Sequence, residues 1–334
     1  MNKLILDNLN YKSTERVPVW LMRQAGRYMK EYHIIKNKFN SFMDMCKNSD
    51  AVTEITLQPI KKFDFDAAII FSDILMIPFG LGQSVEFKKN FGPSLGDILL
   101  DKLSESNEAT FTERLSPIYK LLQNLSRNNK LKNKDLIGFV GAPWTLLVYM
   151  INKVSPKNGL SKDFFKNKEL IHSLLKIIDK FTKIHIKNQV NAGATLIQVF
   201  DSWAGLITDN FDQYLYNPTS SIVDYTRQLG VPVICFPRGI SNYSEFCKIV
   251  NPDMVNIDYS VDPKELIKKV SIPIQGGLDP KILLTDKENL REKATKYLEI
   301  FKNHPYVFNL GHGILPQTEI EMVKELVKIV RDFK

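Results

Sequence analysis

Residues 161–202 read SKDFFKNKELIHSLLKIIDKFTKIHIKNQVNAGATLIQVFDS, and the change of hydrophobic period inside them decides the fold. From Ser161 to Asn191, Leu170, Leu174, Ile177, Ile178, Phe181 and Ile184 recur three or four apart, the spacing of one helix face, and Gly193 offers a stop. Thr195–Phe200 then runs almost unbroken in apolar residues, as a strand buried on both faces does, and ends on the polar pair Asp201-Ser202. A helix feeding a doubly buried strand is part of a βαβ unit and predicts parallel pairing.

Seven further short apolar runs repeat this strand signal: Val17–Met22, Ala67–Phe71, Leu136–Val140, Val231–Phe236, Met254–Ile257, Ile272–Ile274 and Tyr306–Leu310. The last is followed by a helical stripe, Ile320, Val323, Val327 and Val330, which Thr318 and Glu321 open with a capping-box pattern. Eight strand–helix units in one α/β chain predict a closed (β/α)8 TIM barrel with its active site at the C-terminal ends of the strands. The rival is an open doubly wound sheet, but no GxGxxG or P-loop follows an early strand. No Pro/Gly/Ser-rich linker interrupts the chain, so residues 1–334 are expected to form a single domain.

Composition narrows the class. With 44% hydrophobic residues the 334-residue chain can bury a large core. It contains no run of about twenty apolar residues. MNKLILDNLN carries acid and amide where a signal peptide needs an apolar centre, so a cytoplasmic location and no membrane partner are expected. Cys46, Cys235 and Cys247 lack metal-ligand spacing and read as reduced structural thiols. The net charge of +8 suits an anionic substrate by steering. Nucleic acid is not expected, because the basic loop Ser126–Lys134 is rich in asparagine and has no interleaved aromatics.

The polar residues that follow the strand runs are the candidates for chemistry. In order they are Arg23, Ser72-Asp73, Gly141–Trp144, Asp201-Ser202, Pro237-Arg238, Asp258-Tyr259, Gln275–Pro280 and Gly311-His312-Gly313. Arg23 and Arg27, four residues apart with no acid between them, present two permanent cations able to grip carboxylate or phosphate. Each candidate also has an architectural explanation. Asp73, Ser202 and Asp258 can act as helix N-caps, the glycines can shape turns, Tyr149 can pack, and His312 can bond a backbone group.

Five segments together resemble uroporphyrinogen decarboxylases: PVWLMRQAGRY (18–28), AAIIFSDIL (67–75), GFVGAPWTLLVY (138–149), QVFDSWAG (198–205) and FNLGHGILP (308–316). The resemblance spans the chain. It implies a single-domain barrel, a homodimer, and removal of carbon dioxide from the four acetate side chains of uroporphyrinogen to give coproporphyrinogen, with no metal and no organic cofactor. It also implies that Asp73 accepts pyrrole N–H groups at the centre of the macrocycle and is the catalytic carboxylate. Arg23 and Arg27 then hold substrate carboxylates, with the backbone of Gln24, Ala25 and Gly26 shaping their loop. Tyr149, Ser202 and His312 complete carboxylate recognition, and Phe71 and Phe139 supply apolar wall.

The chain departs from this family in two places. Where the family commonly continues Leu-Pro-Glu-Tyr-Arg, it reads Met29-Lys30-Glu31-Tyr32-His33, with Lys36 in place of a further arginine. Gly277 stands where asparagine is usual. Two other functions fit the same outline, a corrinoid-dependent methyltransferase and a non-catalytic tetrapyrrole-binding protein. The first needs a His/Cys zinc site, for which Cys235, preceded by Val233-Ile234, lacks the HxC pair. The second has no use for a buried Asp73.

Overall fold

Parallel strands succeed one another around a curled sheet in chain order, as expected for a barrel wound one unit at a time. The computed structural model describes residues 3–88 and 91–333. Its strands are β1 (Ala67–Ile69), β2 (Val85–Lys88), β3 (Gly92–Leu95), β4 (Asp135–Gly141), β5 (Leu196–Asp201), β6 (Val233–Pro237), β7 (Met254–Ile257), β8 (Ile274–Gly276) and β9 (Tyr306–Val307). The main sheet has seven strands in the order β1-β4-β5-β6-β7-β8-β9, all parallel.

The eighth position belongs to the Val17–Met22 run, which forms a single parallel bridge, Val19 to Phe308, instead of a full strand. Phe308 N donates to Pro18 O at 2.8 Å and Trp20 N to Phe308 O at 3.3 Å, while Asp66 N donates to Val19 O at 2.9 Å. The run therefore sits between β9 and β1 and closes the ring. Side chains reinforce the seam: Asp66 receives both Arg16 terminal nitrogens at 2.7 and 2.6 Å and the Val19 N–H at 2.8 Å.

Trp20, Gln198, Asn256 and Gln275, all fully buried, line the barrel interior. Trp20 Nε1 donates to Gln275 Oε1 at 2.8 Å, and Gln275 Nε2 donates to Asn256 Oδ1 at 2.6 Å and to Gln198 Oε1 at 3.2 Å. Paired amides replace the branched aliphatic layer usual inside such barrels and tie three strands to the closing run.

Element boundaries shift where local caps overrule periodicity. The long helix begins at Lys168, not Ser161, because Asn167 accepts the Leu170 N–H at 2.9 Å. The capping box at Thr318 does not form. The last helix spans Ile320–Asp332 with Glu319 at its N-cap and no side-chain cap, and Thr318 is buried one residue too early. The antiparallel hairpin β2–β3, set between β1 and β4 in the chain, was not expected from the sequence.

Candidate active site

Met22 is strapped to the loop after β9 on both sides: its N–H donates to Asn309 Oδ1 at 3.0 Å, and Ile314 N donates to its carbonyl at 2.9 Å. The chain then turns at Arg23, whose φ of +60° lies in the left-handed region. That conformation costs a branched or long side chain roughly 1 kcal/mol or more, and surrounding contacts must hold it. Gln24 supplies them. Its Oε1 accepts the Leu21 N–H at 3.2 Å, its Nε2 donates to Ala67 O at 3.0 Å, and its own carbonyl accepts the Tyr28 hydroxyl at 2.6 Å. The Gln24 side chain is thus fully buried and locked to β1, while Ala25 and Gly26 are half-buried in the same loop.

Arg23 lies across Gly313. A Cβ at Gly313 would come within 2.3 Å of Arg23 Cδ and 2.9 Å of its Nε. A Cβ at Gly311 would come within 2.4 Å of Tyr259 N. The two glycines around His312 therefore let the Arg23 side chain and the loop after β7 approach the backbone closely.

Asp73 projects from the loop after β1, half-buried in the cleft, with Oδ1 accepting the Leu75 N–H at 2.9 Å. Burial raises its carboxyl to about 6, against the lowering influence of the Leu75 N–H and Arg23. The Arg23 guanidinium opens to solvent along the cleft, yet protein surrounds it. Its pKa is lowered by desolvation, by Arg27 and by Arg238, with Asp73 and Tyr149 opposing. Tyr149 is buried, its hydroxyl 3.5 Å from Ser155 Oγ, and its pKa is raised by burial and by Asp73. Burial, Arg23 and Arg238 push the half-buried His312 down to about 3, so it is neutral at ordinary pH and presents one donor and one acceptor.

Ser202 lines a cleft of about 240 Å³ with Trp203, Leu206, Arg238, Asp258 and Tyr259. A carboxylate just behind it fixes its position. Asp201 Oδ1 accepts the Thr145 hydroxyl at 2.6 Å, and that hydroxyl accepts the Trp203 N–H at 3.0 Å. Thr145 stands in the first turn of helix Pro143–Asn152, whose N-cap Ala142 has no side-chain acceptor, so Asp201 caps from the adjoining strand. Phe71 and Phe139 flank the site, the first half-buried and the second buried.

The N-cap explanations fail for all three candidates. Helix Met76–Gly80 has Leu75 as its N-cap, and the short 3-10 helix Ala204–Leu206 has Trp203, not Ser202. Asp258 joins its own loop to the one after β6, accepting from Gly239 N at 2.7 Å, Tyr243 Oη at 3.0 Å and Ser260 N at 2.8 Å. The departure at His33 is accommodated, because its Nε2 donates to Arg27 O at 2.8 Å and ties helix Lys30–Lys36 to the arginine loop. No group of three or more His, Cys, Asp or Glu side chains suited to a metal occurs among the described residues.

A family model described as uroporphyrinogen decarboxylase (URO-D) matches residues 1–333. The chain belongs to the uroporphyrinogen decarboxylase family. It is 41% identical over 325 residues to the uroporphyrinogen decarboxylase of Rickettsia bellii (strain RML369-C), covering 95% of each chain. To that of Rickettsia felis (strain ATCC VR-1525 / URRWXCal2) it is 39% identical over 331 residues, covering 96% of this chain and 94% of the other. Among solved structures, a methyltransferase from Methanosarcina mazei superposes with a TM-score of 0.78 over 97% of this chain and 96% of its own, at 16% identity. A putative vitamin-B12-independent methionine synthase from Listeria monocytogenes gives a TM-score of 0.52 at 11% identity. Both share the fold alone.

Arg23 is brought within electrostatic range of Asp73, Tyr149 and His312, and Ser202 lines the cleft that also holds Arg238. Gln24 is drawn away from it into the wall. Sequence reading noted Arg238 without giving it a role and missed the Asp201–Thr145 pair. An acidic residue one position before a site serine, beside a helix whose N-cap is alanine, was the signal available for that pair.

Proposed function

We propose that this protein decarboxylates the four acetate side chains of uroporphyrinogen III to methyl groups, giving coproporphyrinogen III and four molecules of carbon dioxide in porphyrin and haem biosynthesis. The supporting observation is a half-buried carboxylate, Asp73, just past the end of β1 and within electrostatic range of Arg23. For the substrate's carboxylates that negative charge is repulsive, so its place is at the pyrrole N–H groups and at the cation that forms on the ring. Ionised Asp73 accepts the pyrrole N–H groups and holds the ring over the site.

Loss of carbon dioxide from a pyrrole acetate needs an electron sink, and the ring becomes one when a proton adds to its carbon beside the acetate-bearing carbon. The bond to the carboxylate then breaks, its electron pair flows into the cationic ring, and an exocyclic methylene forms. Protonation of that methylene and loss of the ring proton restore the pyrrole, so each round consumes one proton and releases one carbon dioxide. Asp73 stabilises the cation electrostatically. Arg23 and Arg27 grip carboxylates, Tyr149, Ser202 and His312 hydrogen-bond them, and Gln24 with Ala25 and Gly26 holds the arginine loop in shape.

We read residues 1–334 as one catalytic domain that works as a cytoplasmic homodimer. No helix of the described residues is long and apolar enough to cross a membrane. The test is anaerobic incubation of the purified protein with uroporphyrinogen and a chelator, followed by oxidation and chromatography. Porphyrins with seven down to four carboxylates are expected. Unchanged eight-carboxylate porphyrin would overturn the reading.

A further inference from the structure

We propose that Arg238, with Ser202, forms a second carboxylate subsite that anchors a propionate of the tetrapyrrole on the side opposite Arg23 and Arg27. This rests on the function proposed above. Around the closed ring the Val17–Met22 run is position one, followed by β1, β4, β5 and then β6. Arg23 follows position one and Arg238 follows β6 at position five, so the two cations rise from opposite sides of an eight-membered ring. A macrocycle with carboxylates on all four pyrroles needs cations on both sides. Binding on one side alone would leave the far carboxylates desolvated without partners.

The local chemistry supports this assignment. Arg238 lines the 240 Å³ cleft together with Ser202, Tyr259 and Ser260. Its half-buried guanidinium makes no hydrogen bond or ion pair with a side chain among the described residues. The one acid in the cleft, Asp258, directs its oxygens to Gly239 N, Tyr243 Oη and Ser260, leaving the fork of Arg238 free. Arg238 also lowers the pKa of both Arg23 and His312, which places its charge within electrostatic reach of the site centre.

The ligand group is a propionate because of the reaction's arithmetic. All four acetates are consumed, whereas the propionates persist through every round. A subsite serving each round must hold a group that each intermediate still carries.

Arg238→Gln should raise KM for uroporphyrinogen about 10- to 100-fold, as loss of a charge-assisted hydrogen-bonded pair does, with a much smaller fall in kcat. Arg238→Lys should recover part of the loss, and both variants should unfold at the wild-type temperature, since no internal partner is lost. The KM penalty should be the same for the five-carboxylate intermediate. An unchanged KM would overturn the subsite, and a penalty that vanishes with the five-carboxylate substrate would overturn the propionate assignment. Equilibrium binding of uroporphyrin, followed by its fluorescence, separates the two readings. Should wild type bind without turnover while Arg238→Gln binds more weakly, the subsite stands and decarboxylation fails.

Discussion

Ionised Asp73 is the cation-stabilising group of the proposed reaction, yet burial raises its pKa to about 6. Below that pH the carboxyl is protonated, so kcat/KM of the free enzyme should fall as pH drops through about 6, which a pH–rate profile checks. The same shift has a stability consequence. The folded pKa lies above the unfolded value of about 3.9, so the group's favourable contribution is complete below about 3.9 and lost as pH rises through 6. Asp73→Asn should therefore cost at least about 100-fold in turnover while gaining on the order of 1–2 kcal/mol of stability at pH 7.5. The gain should disappear in unfolding measurements near pH 4. Near-normal turnover would remove Asp73 from the mechanism. In the proposed reaction Arg27 clamps a carboxylate in ground and transition states alike, so Arg27→Ala should raise KM about tenfold or more with kcat largely kept. A large loss of kcat with binding intact would contradict this.

The loops act in pairs across adjoining strand ends. The Arg23 turn is held by Asn309 and Ile314 around Met22, and the Arg23 side chain lies on Gly313. Gly313→Ala should push Cγ and Cδ of Arg23 aside and raise KM about tenfold, because small misplacements of a positioning group are costly. Its unfolding temperature should change little, and an unchanged KM would show that the arginine relaxes freely. Asp201 and Thr145 form the second pair, joining β5 to helix Pro143–Asn152, which carries Tyr149. Thr145→Val keeps the shape but strips Asp201 of its donor and Trp203 N–H of its acceptor, at about 2 kcal/mol. Thermal unfolding should register that loss, and Thr145→Ser should restore it.

The seam of the whole barrel lies where one bridge stands in for a strand. Asp66, 4% exposed, is held by Arg16 and the Val19 N–H. Arg16→Ala leaves that carboxylate buried and unpaired, so chemical denaturation should show a loss of about 3 kcal/mol, part of which Asp66→Asn in the same chain should recover. Equal stability of Arg16→Ala and wild type would mean the bridge and core alone close the ring. The sequence by itself determined the alternation of strand and helix, the eight runs and their order, and the polar residues at their ends. These depend on periodicity and on which side chains avoid water, both local properties. It also carried enough specific segments to place the chain in its family. It did not reveal that Val17–Met22 pairs through a single bridge, because that bridge is to Phe308 near the other end of the chain, nor that Thr318 misses its cap or that Val85–Lys88 pairs with Gly92–Leu95. Nor did it separate Gln24, buried in the wall, from Arg23 beside it, or show Asp201 capping a neighbouring element. Only ring closure decides which residues share one opening. It sets Arg23 opposite Arg238 and brings Asp73 within reach of a cation fifty residues earlier, contacts that no local pattern encodes.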